Sequence, residues 1–368
     1  MTEMNGTAGS DGSGPSHDHR VDTDERRDGD RRDDGATSAA SAVSAGSAAP
    51  GGVSATVFDR IRAACAEVAE RAHHVTIVPA ALDDLADTLA PDEPPLLPEE
   101  RPTGDAEAMA AEVVVWNAVN FGSGWFPALR KRAGMSGARS LAEALADHVA
   151  AAGVPTAGTL AAADAATCAE IFGQPHPGPV DDLLELFAQA WRDLAALLTE
   201  RFDGSAAELV RAADGSAAAL VEIIGGMPLA RDVATYGEGP DAIEVPFYKR
   251  GQITVSHLAR AFDGTGLGRF GDVDGLTAFA DNLVPHVLRM AGALVYDEEL
   301  AERIENEELL EPGSAHEVEI RACGLHAVEL LSRATGLTPA AIDHQLWQRG
   351  QDPVIKSVPR HRCRCSWY

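Results

Sequence analysis

From residue 55 onward, apolar side chains recur mostly at steps of three and four, the period of a helix with one buried face. Val57, Ile61, Cys65 and Val68 predict a helix to about 72, and Val75-Thr-Ile-Val78 a short strand. A second helix is expected at about 80–90, then an extended Pro-rich connector over 91–102. Met109, Val113, Trp116 and Asn120 form one stripe of a helix over 105–120, which ends on an inward-pointing polar residue. Residues 140–224 read as almost continuous helix, with Leu183, Leu184, Phe187, Trp191 and Leu194 as the longest apolar stripe. Within it, Asp203-Gly-Ser-Ala-Ala-Glu is echoed by Asp214-Gly-Ser-Ala-Ala-Ala, each a turn plus N-cap opening a short helix. Residues 242–247 read as a strand that exits into Tyr248-Lys249-Arg250, followed by a helix with Val255, Leu258, Ala259 and Phe262 on one face. Asp281 lies beside the apolar face made by Leu276, Phe279, Ala280 and Leu283, and Pro285 four residues on is expected to kink that helix by removing an N–H. Ser314 and Glu317 form a capping box, Glu317 and Arg321 are an i,i+4 pair, and Glu319 has no local partner. The last helix, from Pro339, carries Asp343 and Trp347 on one side.

This pattern describes a mainly α protein: a single helical domain over 55–368 with a few short strands. Residues 1–54 break the pattern. They are Gly, Ser, Ala, Asp and Arg with almost no large apolar side chain, and their ten acidic and five basic residues all precede residue 35. Such a segment buries too little surface to offset its ordering entropy, so it is expected to be disordered.

Charge narrows the partners. Net charge is −27, from 57 acidic against 30 basic residues. A surface of that sign disfavours nucleic acid and anionic membranes, since both recruit clustered cations. No apolar run approaches the length of a membrane span, and five cysteines without a secretory signal fit a reducing cytoplasm. His361-Arg-Cys363-Arg-Cys365 lacks the paired ligand spacing of a zinc site. Nothing in the sequence specifies an oligomeric state.

Two residues carry the candidate chemistry. The chain has only three lysines, Lys131, Lys249 and Lys356, and Lys249 sits at a strand exit. Asp281 is a carboxylate in apolar surroundings, where burial tunes a pKa, although a surface Asp at a helix break has the same spacing. Phe121 and Trp125 flank two glycines, Gly122 and Gly124, in a loop able to approach a ligand closely. The two rings can sandwich a flat heterocycle or plug the edge of the core. His73-His74 raises a metal question but reads more simply as a helix end. There is no phosphate loop, dinucleotide fingerprint, thiol or serine triad, or metal set. Acid–base or electrostatic chemistry on a small polar molecule remains, and glycosidic cleavage is one reaction it fits.

Several motifs in one order bear a resemblance. They are V-N-F…W (119–125), F-Y-K-R-G-Q-I (247–253), L-T-A-F-A-D-x-x-V-P-x-V-L (276–288), G-A-L-x-Y (292–296), E-V-E-I-R-A (317–322), D-x-x-L-W (343–347) and the terminal P-R-H-R-C-R-C. Together they are similar to the queuosine salvage family, the queuosine 5′-phosphate N-glycosylase/hydrolases. The resemblance implies a helical fold similar to base-excision DNA glycosylases. It also implies hydrolysis of queuosine 5′-monophosphate, a small-molecule nucleotide, to queuine and ribose 5-phosphate with no metal or other cofactor. On that resemblance Asp281 is catalytic, stabilising an oxocarbenium ion or orienting water, and Lys249 contacts the ribose phosphate or holds Asp281 ionised. Phe279 lines the pocket, and Asp343 meets the base edge or its cationic amine. Trp347, Phe121 and Trp125 supply stacking walls, and His74 is a pocket histidine. Asn120, Tyr248, His344 and Gln348 complete the implied substrate contacts. The chain departs from the family pattern at Asn282, Leu283, His286, His344 and Gln348, positions that cluster toward base recognition.

Overall fold

The computed structural model describes residues 55–92, 94–96 and 101–368, so the expected disordered segment 1–54 lies outside the described residues, as does part of the Pro-rich connector. Among the described residues the architecture is helical, with strands only in two-residue to four-residue pieces. In chain order the elements begin α1 (Val57–Arg71), β1 (Val75–Ile77), α2 (Pro79–Ala86) and α3 (Ala106–Asn117). They continue with α4 (Gly137–Ala152), α5 (Ala157–Ala161), α6 (Ala165–Ile171), α7 (Asp181–Arg201), α8 (Ala206–Arg211) and α9 (Ala217–Gly225). Then come β2 (Val233–Tyr236), β3 (Ile243–Pro246), α10 (Lys249–Ala261), α11 (Leu283–Met290), β4 (Leu294–Tyr296) and α12 (Glu298–Glu305). The chain finishes with β5 (Leu309–Leu310), α13 (Ala315–Thr335), α14 (Pro339–Arg349), α15 (Pro353–Ser357) and β6 (Arg362–Cys363).

Local chemistry sets the helix starts. Thr56 and Asp59 cap α1 reciprocally, and Asp105, Ser136, Asp297, Ser314 and Thr338 each accept an N–H of the helix that follows. The repeated Asp-Gly-Ser turns form as expected. Asp203 and Asp214 take φ of 51° and 48°, and Ser205 and Ser216 cap α8 and α9.

Helix α13 runs through the middle of the protein. Thirteen of its residues are buried, and α1, α2, α11 and α14 pack around it. On one flank α10 lies between α3 and α9; on another, the apolar stripe of α7 covers α5 and α6. β1 pairs antiparallel with β4 (Val75 opposite Tyr296), β2 antiparallel with β3, and β5 parallel with β6. The β1–β4 and β5–β6 ladders join distant parts of the chain, and none of the three forms an extended sheet among the described residues.

Glu319, which has no local partner, is accounted for here. Its Oε2 accepts the backbone N–H groups of His73, His74 and Val75 at 3.1, 2.7 and 3.2 Å, and its Oε1 accepts the Tyr236 hydroxyl at 2.8 Å. A buried carboxylate with four donors ties α13 to the turn after α1, so its role is structural.

Two expectations need correction. Asp281 is not inside a proline-kinked helix. Residues 276–282 form neither helix nor strand, and α11 starts at Leu283 with Pro285 in its first turn. There a proline's missing N–H would have had no helical acceptor, so nothing kinks. The glycines of the 122–124 loop also serve a different purpose. A Cβ at Gly122 would lie 2.5 Å from Leu183, and one at Gly124 would lie 2.3 Å from the carbonyl oxygen of Cys363. The glycines admit α7 and the C-terminal segment rather than a ligand, and the Gly122 N–H donates to the Tyr368 carbonyl at 2.9 Å.

Candidate functional site

A cavity opens between α3, α4, α10, the 276–282 segment, α14 and the C-terminal segment. Of the residues singled out from sequence, Asn120, Phe121, Lys249, Phe279, Asp281, Asp343, His344 and Trp347 line it. They arrive from four separate stretches of chain.

Lys249 is the first residue of α10 and is only 6% exposed. Its Nζ donates to the carbonyl oxygen of Asn120 at 2.9 Å. Burial lowers its pKa to about 8, against the pull of the Asp281 charge. Asp281 is part-buried just before α11, and its Oδ1 accepts the N–H groups of Leu283 and Val284 at 2.8 and 3.0 Å. No hydrogen bond among the described residues falls on Oδ2. Burial raises the Asp281 pKa, while the Val284 amide and the Lys249 charge hold it back. Asp343, on α14, is 3% exposed and accepts the Phe279 N–H at 2.9 Å. Its pKa rises well above the usual carboxylate value, first through burial and then through the neighbouring Asp281 charge. Two neighbouring carboxylates cannot both ionise cheaply, and both pKa values are raised, that of Asp343 the more strongly.

Behind this wall a second ionic cluster fixes the backbone. Arg321 on α13 is fully buried and grips Asp232 with two hydrogen bonds, at 2.7 and 3.0 Å. Its Nε donates to the Ala280 carbonyl at 2.9 Å, and its guanidinium lies 3.9 Å from the centre of the Phe247 ring. Asp232 in turn accepts the Lys249 backbone N–H at 3.2 Å. One ion pair therefore holds the residue before Asp281 and the backbone of Lys249 together. Tyr248 makes the turn between β3 and α10 by taking φ of 46°, with its ring over Gly225.

The remaining named residues fall elsewhere. Tyr248, Trp125, Gln348 and His74 do not line the cavity. Trp125 is buried beneath the Arg364 guanidinium, 5.5 Å from its ring centre, so it cannot face Phe121 across a ligand. Phe121 packs edge-on against Phe187 at 5.1 Å, with Arg250 4.9 Å from its ring centre. His74 bonds Asp297 at 2.7 Å, and its ring lies 4.1 Å from that of His316 at a tilt of 59°, near the β1–β4 pairing. Its position in sequence beside a strand carries no information about which side of α13 that strand lies on. Asn117 is the fully inward polar residue of α3, bonded to His257 at 3.1 Å, and Asn120 lies just beyond the helix end. Of the departures from the family pattern, Asn282, Leu283 and His344 line the cavity. His286 instead bonds the Ile355 carbonyl at 2.9 Å.

Sequence reasoning missed the cationic end. Arg139, Lys356 and Arg360 line the same cavity. Burial lowers the Arg360 pKa, the Asp281 charge opposes this, and the Arg360 Nε has no described partner. These three residues come from α4, α15 and the segment after it, and no local motif links them. The site thus presents an acidic wall with one lysine, aromatic and His side chains at Phe279, His344 and Trp347, and a positive end. That arrangement suits a ligand with a planar group and an anionic group.

Comparison with known proteins agrees in kind. A family model described as queuosine salvage protein matches residues 101–368. The chain is 39% identical over 193 residues to the queuosine 5′-phosphate N-glycosylase/hydrolase of Sphaerobacter thermophilus, covering 50% of this chain and 58% of that protein. It is 35% identical over 161 residues to the bovine protein of the same name, covering 40% and 46%. With the Dictyostelium discoideum protein of that name it shares 40% identity over 130 residues, covering 34% and 40%. The chain thus spans about half the length of the curated relatives it matches.

Proposed function

The chain belongs to the queuosine salvage protein family, and from that premise we propose that it is a nucleotide N-glycosidase acting on queuosine 5′-monophosphate. The observation that carries this reading is the pairing, in one cavity, of a carboxylate wall at Asp281 and Asp343 with a cationic end at Arg139, Lys356 and Arg360. Cleavage of a glycosidic bond builds positive charge on the sugar, which a fixed carboxylate stabilises, and the 5′-phosphate needs cations at the other end.

In the proposed reaction the C1′–N bond breaks and the base departs with its electron pair. Water adds to C1′ and gives up a proton. Asp281, ionised beside Lys249, faces the oxocarbenium ion and takes that proton. Asp343, kept neutral by burial and by Asp281, is the proton source for the departing base. The products are queuine and ribose 5-phosphate. Lys249 keeps Asp281 charged in a buried site, and Phe279, His344 and Trp347 hold the planar base. The phosphate lies against Arg139, Lys356 and Arg360.

A second reading keeps the reaction and changes the base. Asn282, Leu283 and His344 all line the cavity and all depart from the family pattern, so a related 7-deazaguanine 5′-nucleotide is the alternative substrate. Mass spectrometry of products from a panel of 5′-phosphorylated nucleosides decides between the two. Release of queuine from queuosine 5′-phosphate is the expected result. Release of a different deazapurine selects the second reading, and binding without any release overturns both.

A further inference from the structure

All three lysines of this acidic chain converge on one system of connected spaces. Lys249 and Lys356 line the cavity described above, and Lys131 lines an outer vestibule that shares Lys356 and Arg360 with it. Arg362 is the fourth cation of the vestibule, and no carboxylate lines it among the described residues. Acidic residues outnumber basic ones 57 to 30 overall, so a wall of four cations and no acid departs sharply from the surface average. The cations are close enough to disfavour one another. Burial lowers the Lys131 pKa, and the charges of Arg360 and Arg362 lower it further; Lys356 is depressed by burial and then by Arg360, Arg139 and Lys131.

The partners these groups have within the protein leave charge to spare. Lys356 donates to Gln351, a neutral residue, at 2.8 Å, and Arg362 meets Glu307, whose side chain is 57% exposed, at 2.9 Å. Lys131 is exposed, and Arg360 keeps an unpartnered Nε. The N-terminus of α4, sixteen residues long, adds to the same field. Ser136 and Gly137 line the vestibule, and the first turn of α4 contains no acid. Positive charge held this close together, with the largely exposed Glu307 as its ion-pair partner among the described residues, is stabilised by an anion.

We propose that the vestibule is a second phosphoryl subsite, adjoining the position of the 5′-phosphate and sharing Lys356 and Arg360 with it. The ligand class is a nucleoside 5′-diphosphate, its β-phosphoryl group held by Lys131 and Arg362. Only the identity of the inner phosphate rests on the proposed function; the vestibule's preference for paired phosphoryl groups does not.

The test is calorimetric titration of the full chain with inorganic phosphate and with inorganic pyrophosphate at fixed ionic strength. Pyrophosphate is expected to bind about tenfold more tightly than phosphate, because the added charge-assisted contacts are made only by the longer anion. In Lys131→Gln and Arg362→Gln the ratio of the two affinities falls toward one. If Arg362→Gln does not fold, the exposed Lys131→Gln alone carries the test. Nucleotides form a second arm: wild type favours queuosine 5′-diphosphate over the 5′-monophosphate, and Lys131→Gln loses that preference. Equal affinities in wild type, or a ratio unchanged by Lys131→Gln, overturn the proposal. Base release is not part of the readout, so failure here and failure of the glycosidase reading remain separate results.

Discussion

Two buried charged clusters lie side by side in this protein, and they are built to opposite ends. In the first, Arg321, Asp232 and Glu317 are each fully or almost fully buried, and the guanidinium spends its donors on Asp232, Glu317 and the Ala280 carbonyl. In the second, Lys249 is held by a single carbonyl, both bonds to Asp281 fall on one oxygen, and Asp343 is forced toward neutrality. The first cluster has its hydrogen bonds satisfied by the fold. The second keeps bonding capacity and perturbed protonation for something that is not the fold. Burial of charge alone therefore does not mark a catalytic site; unused capacity facing a cavity does.

The largest effect should come from breaking the satisfied cluster. Arg321→Ala leaves Asp232 and Glu317 buried without their cation and is expected to cost about 3–5 kcal/mol of unfolding free energy, read by denaturant titration. A loss below about 1 kcal/mol, the range of exposed pairs, would erase the contrast between the clusters. Next is the lysine of the unsatisfied cluster. Its charged form exists below a pKa of about 8, so kcat/KM should fall as pH rises through that value. Lys249→Gln should lower kcat/KM about a hundredfold and remove that alkaline limb, as expected of a positioned charge. An alkaline limb that survives in Lys249→Gln would assign it to another group.

Asp343 gives a smaller effect that is specific in sign. Its folded pKa lies above the ordinary 3.8, so the folded protein retains a proton that the unfolded chain has released. Stability from this group therefore declines as pH rises from about 4 toward neutrality, by the linkage between proton binding and folding. Asp343→Asn should flatten that decline in pH-dependent melting curves, and an unchanged slope would show that Asp343 ionises normally. The smallest effect is expected at His74. It lies outside the cavity in a part-exposed pair with Asp297, so His74→Ala should change stability by less than about 1 kcal/mol and leave kcat/KM within about twofold. A hundredfold loss would return His74 to the site.

Much of this was legible in the sequence, for reasons that differ by element. The α7 stripe and the Asp-Gly-Ser turns were readable because helix period and N-capping are local chemistry, set within a few residues. The helix expected around Asp281 was not, because residues 276–280 mix an apolar run with burial on all sides, which leaves no period to separate extended chain from helix. Lys249 and Asp281 stood out as a rare lysine at a strand exit and a carboxylate in apolar surroundings, and the ordered motifs gave them, with Asp343, their roles. The glycines at 122 and 124 were read as admitting a ligand, because the partners they do admit, Leu183 and Cys363, lie far along the chain. The cationic end was missed for the same reason, since Arg139, Lys356 and Arg360 meet only in three dimensions.

The central claim is that Asp281 performs the chemistry while the Arg321 cluster only holds it in place. Asp281→Asn tests this most directly, because Asn can still accept the Leu283 and Val284 N–H groups while the charge is gone. The measurement is queuine release from queuosine 5′-phosphate by purified wild type and variant, with thermal unfolding recorded on the same samples. The account predicts release reduced at least about a thousandfold in the variant, as for loss of a transition-state charge, with its melting temperature close to wild type. Turnover near the wild-type rate in a folded Asp281→Asn protein would contradict it.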